Sequence, residues 1–289
     1  TVKKMLRLCM ESSIRWKVVE NPIIPVEELK KRDQLISVGR DYIPGKEALL
    51  RNTIFAVFSP DSTKQDFSSR ELLAEAVFWS IGELVNNANK ANNRWAILHS
   101  ALFQKASQDV AETEKEQLRE DIDYAIQHNQ TEMLKKYGLS NVDLTASILR
   151  LIEKHKTNSF ALSEQFKKKI DVTLRVKSGS RGDNLILHVI NNSPITVIDR
   201  ERVEYNLNKI KEDLIEAGKS PFEAAVQLYE KSEDHRGGGF GAGLRSIVLF
   251  LKEGYGPFPV DIVYSRLIQY RSAANSTIFS IELPVPAPK

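Results

Sequence analysis

A single cysteine, Cys9, in 289 residues excludes an internal disulfide and fits a reducing compartment. There is no CxxC pair and no compact His/Cys cluster, so a structural zinc site is not expected. No apolar run reaches membrane-spanning length, and no signal-peptide pattern opens the chain. The formal charge of +3 is too small to argue for nucleic acid or an acidic membrane surface as a partner. Because the chain starts at Thr1 rather than Met, an upstream segment is expected to have been removed, and a cytoplasmic location is the expectation. What is present is ordinary for a globular protein, with 42% apolar and 27% charged residues. The length allows one elaborated domain or two smaller ones.

Hydropathy patterning changes along the chain. Residues 1–50 are mixed, with "NPIIPVEELKKR" reading as a Pro-bounded turn followed by a short helix. "NTIFAVFSP", 52–60, is a short β-rich apolar run stopped by Pro60 and is expected to be a strand. Ser68 and Glu71 form a capping-box pattern before a long helical stretch. Its apolar residues Leu73, Val77, Ile81, Leu84 and Ala88 recur at three- and four-residue steps and make one buried face. From about 100 to 168 the chain reads as helical and charge-rich, with a break near Tyr137 and Gly138. Alternation through Ile170, Val172, Leu174 and Val176, then through Leu185, Leu187 and Val189, predicts an antiparallel hairpin around "SGSRGD". Helices are expected at roughly 200–217 and 221–233, and strands in "PVDIVYSRLIQYR" and "STIFSIELPVP". Strands enclosing helices predict an α+β fold, a two-layer sandwich with one sheet covered by helices.

Two stretches carry candidate chemistry. "ELVNNANKANNR", 83–94, places five asparagines within eight positions of a helix, although Asn is a mediocre helix former. At 3.6 residues per turn, Glu83, Asn87, Lys90 and Arg94 share a narrow stripe beside the apolar face. A carboxylate that can polarise a water or hydroxyl, an amide oxygen for a hard cation and two cations for phosphate suit a metal–triphosphate ligand. A solvated helix face with i, i+4 pairs gives the same pattern. The second stretch, "DHRGGGFGAGLRSI", holds Gly237, Gly238, Gly239, Gly241 and Gly243, five of the 14 glycines. Such density lets backbone N–H groups approach a phosphate, and the apolar run that follows predicts a helix N-terminus, an anion site. A flexible linker would look similar, and the Gly-Lys-Ser/Thr ending of a P-loop is missing.

Taken together, "ELVNNANKA" and the downstream "GFGAGL" resemble the N box and the glycine-rich lid box of the GHKL superfamily of histidine kinase-like ATPases. "STIFSIELP" is similar to the last strand of histidine kinase catalytic domains, with Thr277 at the position that helps hold adenine. The resemblance spans roughly residues 68 to 285, with the motifs in the family's order. It implies a Bergerat-type sandwich, a mixed sheet covered by helices on one face, in a domain at 67–289 that follows an N-terminal segment at 1–66. It further implies ATP and Mg2+ as cofactors. Glu83 would be the general base, Asn87 the magnesium ligand and Lys90 a phosphate contact. Gly237, Gly238, Gly239, Gly241, Gly243 and Leu244 would belong to a lid over the triphosphate. Asn92 and Asn93 are expected to end the helix.

The chain departs from the family in its adenine box, which usually reads Asp-x-Gly-x-Gly. In "VINNSPIT", Asn191 stands for the Asp, Ser193 for the first Gly and Ile195 for the second. An Asn191 amide oxygen can accept an adenine amino proton, though without charge assistance. The stretch from about 100 to 168 is longer than the family's usual link and reads as a helical insertion, suited either to docking a partner protein or to extra packing. Of His99, His128, His155, His188 and His235, none has the setting of a phosphoacceptor helix, which disfavours a self-phosphorylating sensor kinase. His99 is expected to follow the N-box helix, and His235 borders the glycine loop. No DNA-cleavage or chaperone client domain is expected after the last strand. Two classes remain: an ATPase or kinase acting in trans on a partner in signalling, or a degenerate, non-catalytic docking module.

Overall fold

The computed structural model describes residues 23–38, 44–59, 69–139, 166–197, 199–201, 203–205, 207–208, 240–260, 267–273 and 276–287. Their regular elements, in chain order, are α1 (Val26–Lys31), β1 (Gln34–Ser37), α2 (Pro44–Phe58), α3 (Ser69–Ala106), α4 (Lys115–His128), β2 (Ile170–Gly179), β3 (Gly182–Asn191), α5 (Phe240–Tyr255), β4 (Ile268–Ala273) and β5 (Ser276–Pro284). Among the described residues the fold is mixed α+β, with one open five-stranded sheet in the order β1-β2-β3-β5-β4.

Alternation in the sequence becomes two-sidedness in the sheet. Ile36, Val172, Val189, Phe279 and Tyr270 lie in register across all five strands and face the core, as do Leu174, Leu187, Ile281 and Ile268 one step along. The intervening Arg175, Lys177, Gln269, Arg271 and Glu282 are exposed. A period of two puts one apolar face on the helices and leaves the other wet. The β2–β3 hairpin closes where expected, between Gly179 and Gly182, and Gly182 has a φ of 116 that a side chain would oppose. One expectation is corrected: every described pairing is antiparallel, so the sheet is not mixed.

The expected strand at 52–59 is instead the last half of helix α2. Leu50, Thr53, Ile54, Val57 and Phe58 are the buried positions, a helical spacing. A window opening at Asn52 misses Leu50 and the Pro44 start, and a short apolar run cannot by itself distinguish strand from helix. Leu29, Ile36, Leu50 and Ile54, from α1, β1 and α2, share one core with the sheet and with Leu73, Val77, Ile81 and Leu84 of α3.

Helix α3 runs 38 residues, about 57 Å, and does not end at Asn92 and Asn93. His99 accordingly lies within it. Propensity loses to burial here: Trp95, Ala96, Leu98 and Leu102 extend the apolar face into a second core with Leu118, Ile122, Ala125 and Ile126 of α4 and Leu134. That second core draws on the stretch expected as a helical insertion, which is helical up to Tyr137 and breaks at Gly138 as expected. The expected helix at 221–233 lies outside the described residues, as does Ser68. Among the described residues, no helix is long and apolar enough to cross a membrane.

Candidate functional site

Asn87 projects from the inner side of α3 and is 6% exposed. Among the described residues its Oδ1 has no hydrogen-bond partner. Leaving such an oxygen unpaired costs about 1–3 kcal/mol, a cost that a bound cation or donor would offset. One turn earlier on the same stripe, Glu83 is half-buried; three residues later, Lys90 is exposed. Neither forms an ion pair among the described residues. Arg94, the fourth member of the stripe, is committed elsewhere: its Nη1 lies 2.5 Å from Oδ1 of the buried Asp199. The Thr196 hydroxyl donates to the other oxygen of Asp199 at 3.0 Å, fixing the start of the segment that follows β3.

The turn after β3 sits directly against this part of α3. The Asn191 amide Nδ2 donates to the backbone oxygen of Ala88 at 3.4 Å, next door to Asn87. Asn191 pairs with Thr277 across the β3–β5 ladder, and the Thr277 hydroxyl donates to the Ser193 backbone oxygen at 3.0 Å. The Ser193 hydroxyl lies between two amide oxygens, Oδ1 of Asn92 and, at 3.4 Å, Oδ1 of Asn191. Asn191, Thr277, Asn92 and Ser193 are each 4% exposed or less. The turn therefore links the Ala88–Asn92 part of α3 to Thr277 of β5, segments far apart in sequence. Ile195 is buried in the main core. Where glycines would give the turn freedom, buried side chains hold it.

The intervening residue, Asn192, is clamped from outside. Its Oδ1 accepts from the Lys169 N–H at 2.7 Å, its Nδ2 donates to the Lys167 oxygen at 3.1 Å, and its own oxygen accepts from the Lys168 ammonium at 3.3 Å. Lys168 also lies 3.5 Å from the centre of the Trp95 ring, so the segment before β2 touches both the turn and the second core. Burial pulls the Lys168 ammonium down to about 8, against the pull of Asp123. Burial pushes the Asp123 carboxyl up to about 6. His99, 3.7 Å from Asp123 and stacked on Trp95, is held at about 4 by burial and then by the Lys168 charge.

Helix α5 opens at the end of the glycine-rich stretch, with Gly241 and Gly243 in its first turn, and buries Leu244. Gly237, Gly238, Gly239 and His235 lie outside the described residues. At the other end, a Cβ on Gly254 would come within 2.8 Å of the Ala76 Cβ and 3.0 Å of the Leu73 Cα. The contact of α5 with α3 is the most extensive between any two described helices. Since α3 begins only one turn before Leu73, α5 keeps that contact only by running back along α3, its first turn towards the Asn87 end.

Sequence reasoning missed Asn92, the Ser193 hydroxyl, Asp199 and Lys168. Each acts through a partner some tens of residues or more away, and the only local signal was the excess of asparagines. Among the described residues, no group of three or more His, Cys, Asp or Glu could hold a metal ion. Compared with known proteins, the chain matches no family model, no curated protein and no solved structure.

Proposed function

We propose that this chain is a magnesium-dependent, ATP-binding protein of the GHKL, histidine kinase-like type, with a Bergerat-type sandwich, acting as an ATPase or kinase on a partner protein. One observation carries the reading: Oδ1 of Asn87 is buried and without a partner among the described residues, and the next residue, Ala88, accepts from Asn191 of the turn that Thr277 also holds. The N-box stretch, the altered adenine box and the last strand are thus linked by hydrogen bonds. Magnesium keeps several waters and draws most of its charged ligands from substrate phosphates, so it needs few protein oxygens, and the Asn87 amide oxygen would supply one. Bound there, it would supply charge neutralisation for a triphosphate. Lys90, exposed and without an ion pair among the described residues, would meet phosphate, with Gly241 and Gly243 at the start of α5 and the glycines before them as the lid. Glu83 would accept the proton of the attacking water or hydroxyl. The described part of the insertion is the surface on which the partner protein would dock.

A docking module without turnover has its own support. Ser193 and Ile195 fill the positions where the family has glycines, and both are buried. Glu83→Gln separates the two, because it keeps size and hydrogen bonding while removing the base. Turnover of ATP should fall by about 10²- to 10⁴-fold with binding nearly unchanged. A wild type that binds ATP and never turns it over, with or without candidate partners, would favour the docking module.

A further inference from the structure

The side chains that hydrogen-bond with Asn191 and Ser193 are all neutral. Asn191 and Asn92 supply carboxamides, Ser193 and Thr277 hydroxyls. Their mutual hydrogen bonds leave capacity of both kinds. Asn191 uses one N–H on Ala88, and its oxygen competes with that of Asn92 for the single Ser193 hydroxyl proton, which leaves one donor and at least one acceptor. The Asn92 oxygen takes the same hydroxyl, while its Nδ2, 1% exposed as a residue, has no partner among the described residues. The Thr277 hydroxyl donates to Ser193 and keeps its acceptor lone pairs. The next carboxylate along the chain, Asp199, is fully buried and committed to Arg94 and Thr196.

A carboxylate only accepts, so a turn built on one needs a donor on its ligand and rejects a carbonyl there. A turn of amides and hydroxyls has no such bias. Strong rejection of an analogue arises when a buried group is left unpaired, and here either polarity of ligand edge finds a complement. Resting on the nucleotide reading above, we infer that the turn of Asn191, Asn92 and Ser193 accepts 6-oxo purine nucleotides as well as 6-amino ones. A 6-amino group would donate to the Asn191 oxygen. A 6-oxo group would accept from the free amide N–H of Asn92 or Asn191.

ATP and ITP differ only in the 6-position of the base and the N1 proton that goes with it, which makes them the probe. Calorimetric titration of the full chain with each, magnesium present, should give dissociation constants within about tenfold of each other. Asn191→Asp replaces a donor with a charged acceptor and should shift the ratio at least about tenfold towards ATP. Asn92→Asp, a second variant in the same turn, should shift it the same way. A wild type that prefers ATP by more than tenfold overturns the inference and leaves the nucleotide reading intact. A ratio unmoved by both variants also overturns it, by removing these amides from the base. Binding of neither nucleotide overturns the nucleotide reading and the inference together.

Discussion

The two halves of helix α3 hold their surroundings by different physics. The first half, from Leu73 to Ala88, packs mainly Leu, Ile, Val and Phe side chains against the sheet and holds an ion pair of the buried Glu75 with Arg51 of α2. The second half, from Trp95 to Ala106, meets an aromatic and charged cluster in which His99, Phe166 and Lys168 gather around Trp95 and Phe103 stacks on His99. Aliphatic burial is non-directional and indifferent to pH. A cluster with a depressed histidine, a raised aspartate and a depressed lysine is neither. Between the halves lies the asparagine-rich junction, whose Asn92 and Arg94 reach across to Ser193 and Asp199. At the junction, polar side chains tie the helix to the segment after β3, as Glu75 ties it to α2 through Arg51.

The largest effect should come from breaking that tie. Arg94→Met leaves the Asp199 carboxylate buried without its cation, and removing one partner of a buried pair costs about 3–5 kcal/mol. Urea denaturation should show the loss. A cost below about 1 kcal/mol would mean that the apolar cores alone fix this segment.

His99→Phe sharpens the contrast between the halves. A ring whose pKa falls from 6.5 to about 4 on folding contributes up to about 3 kcal/mol that is present above pH 6.5 and lost as pH falls towards 4. Asp123, pushed up to about 6, has the opposite sign, gaining as pH falls. The informative quantity is therefore the stability difference between His99→Phe and wild type, which should move in favour of the variant between pH 7 and pH 4. A variant in the first half, such as Ile81→Ala, should show no such drift, only a steady cost of about 2–5 kcal/mol. A flat His99→Phe difference would make the two halves alike.

The smallest effect tests the packing of α5 on α3. Gly254→Ala inserts a methyl against the Leu73 backbone and the Ala76 side chain, and should cost about 1–3 kcal/mol by overpacking. A neutral result would mean that the two helices can part there.

Period-two strands and the hairpin were legible because their pattern is local: Ile170 to Val176 and Leu185 to Val189 alternate, and Gly182 makes the turn. The helix after the glycines was legible for the same reason. Helix α2 was not, because its decisive residues straddle the window, with Leu50 outside the apolar run. Nor was the continuation of α3 through Asn92, since a buried amide in a helix makes sense only once Ser193, 101 residues on, is beside it. The same holds for Arg94, which reads as a phosphate contact until Asp199 is seen to engage it. Within the candidate site, Asn87, Asn191 and Thr277 could be named from motif resemblance, while the hydrogen bonds that hold their turn could not.

The account rests on Asn87 as a ligand for a nucleotide-bound cation, and a thermal-shift experiment with ATP, with and without magnesium, tests it most directly. Ligand at a hundred times its dissociation constant stabilises a fold by about 2.7 kcal/mol, a readily measured shift. Wild type should gain most with ATP and magnesium together. Asn87→Ala should lose the increment that magnesium adds while unfolding cooperatively on its own. An Asn87→Ala protein that keeps the full magnesium increment, or a wild type unmoved by ATP in either condition, would contradict the account.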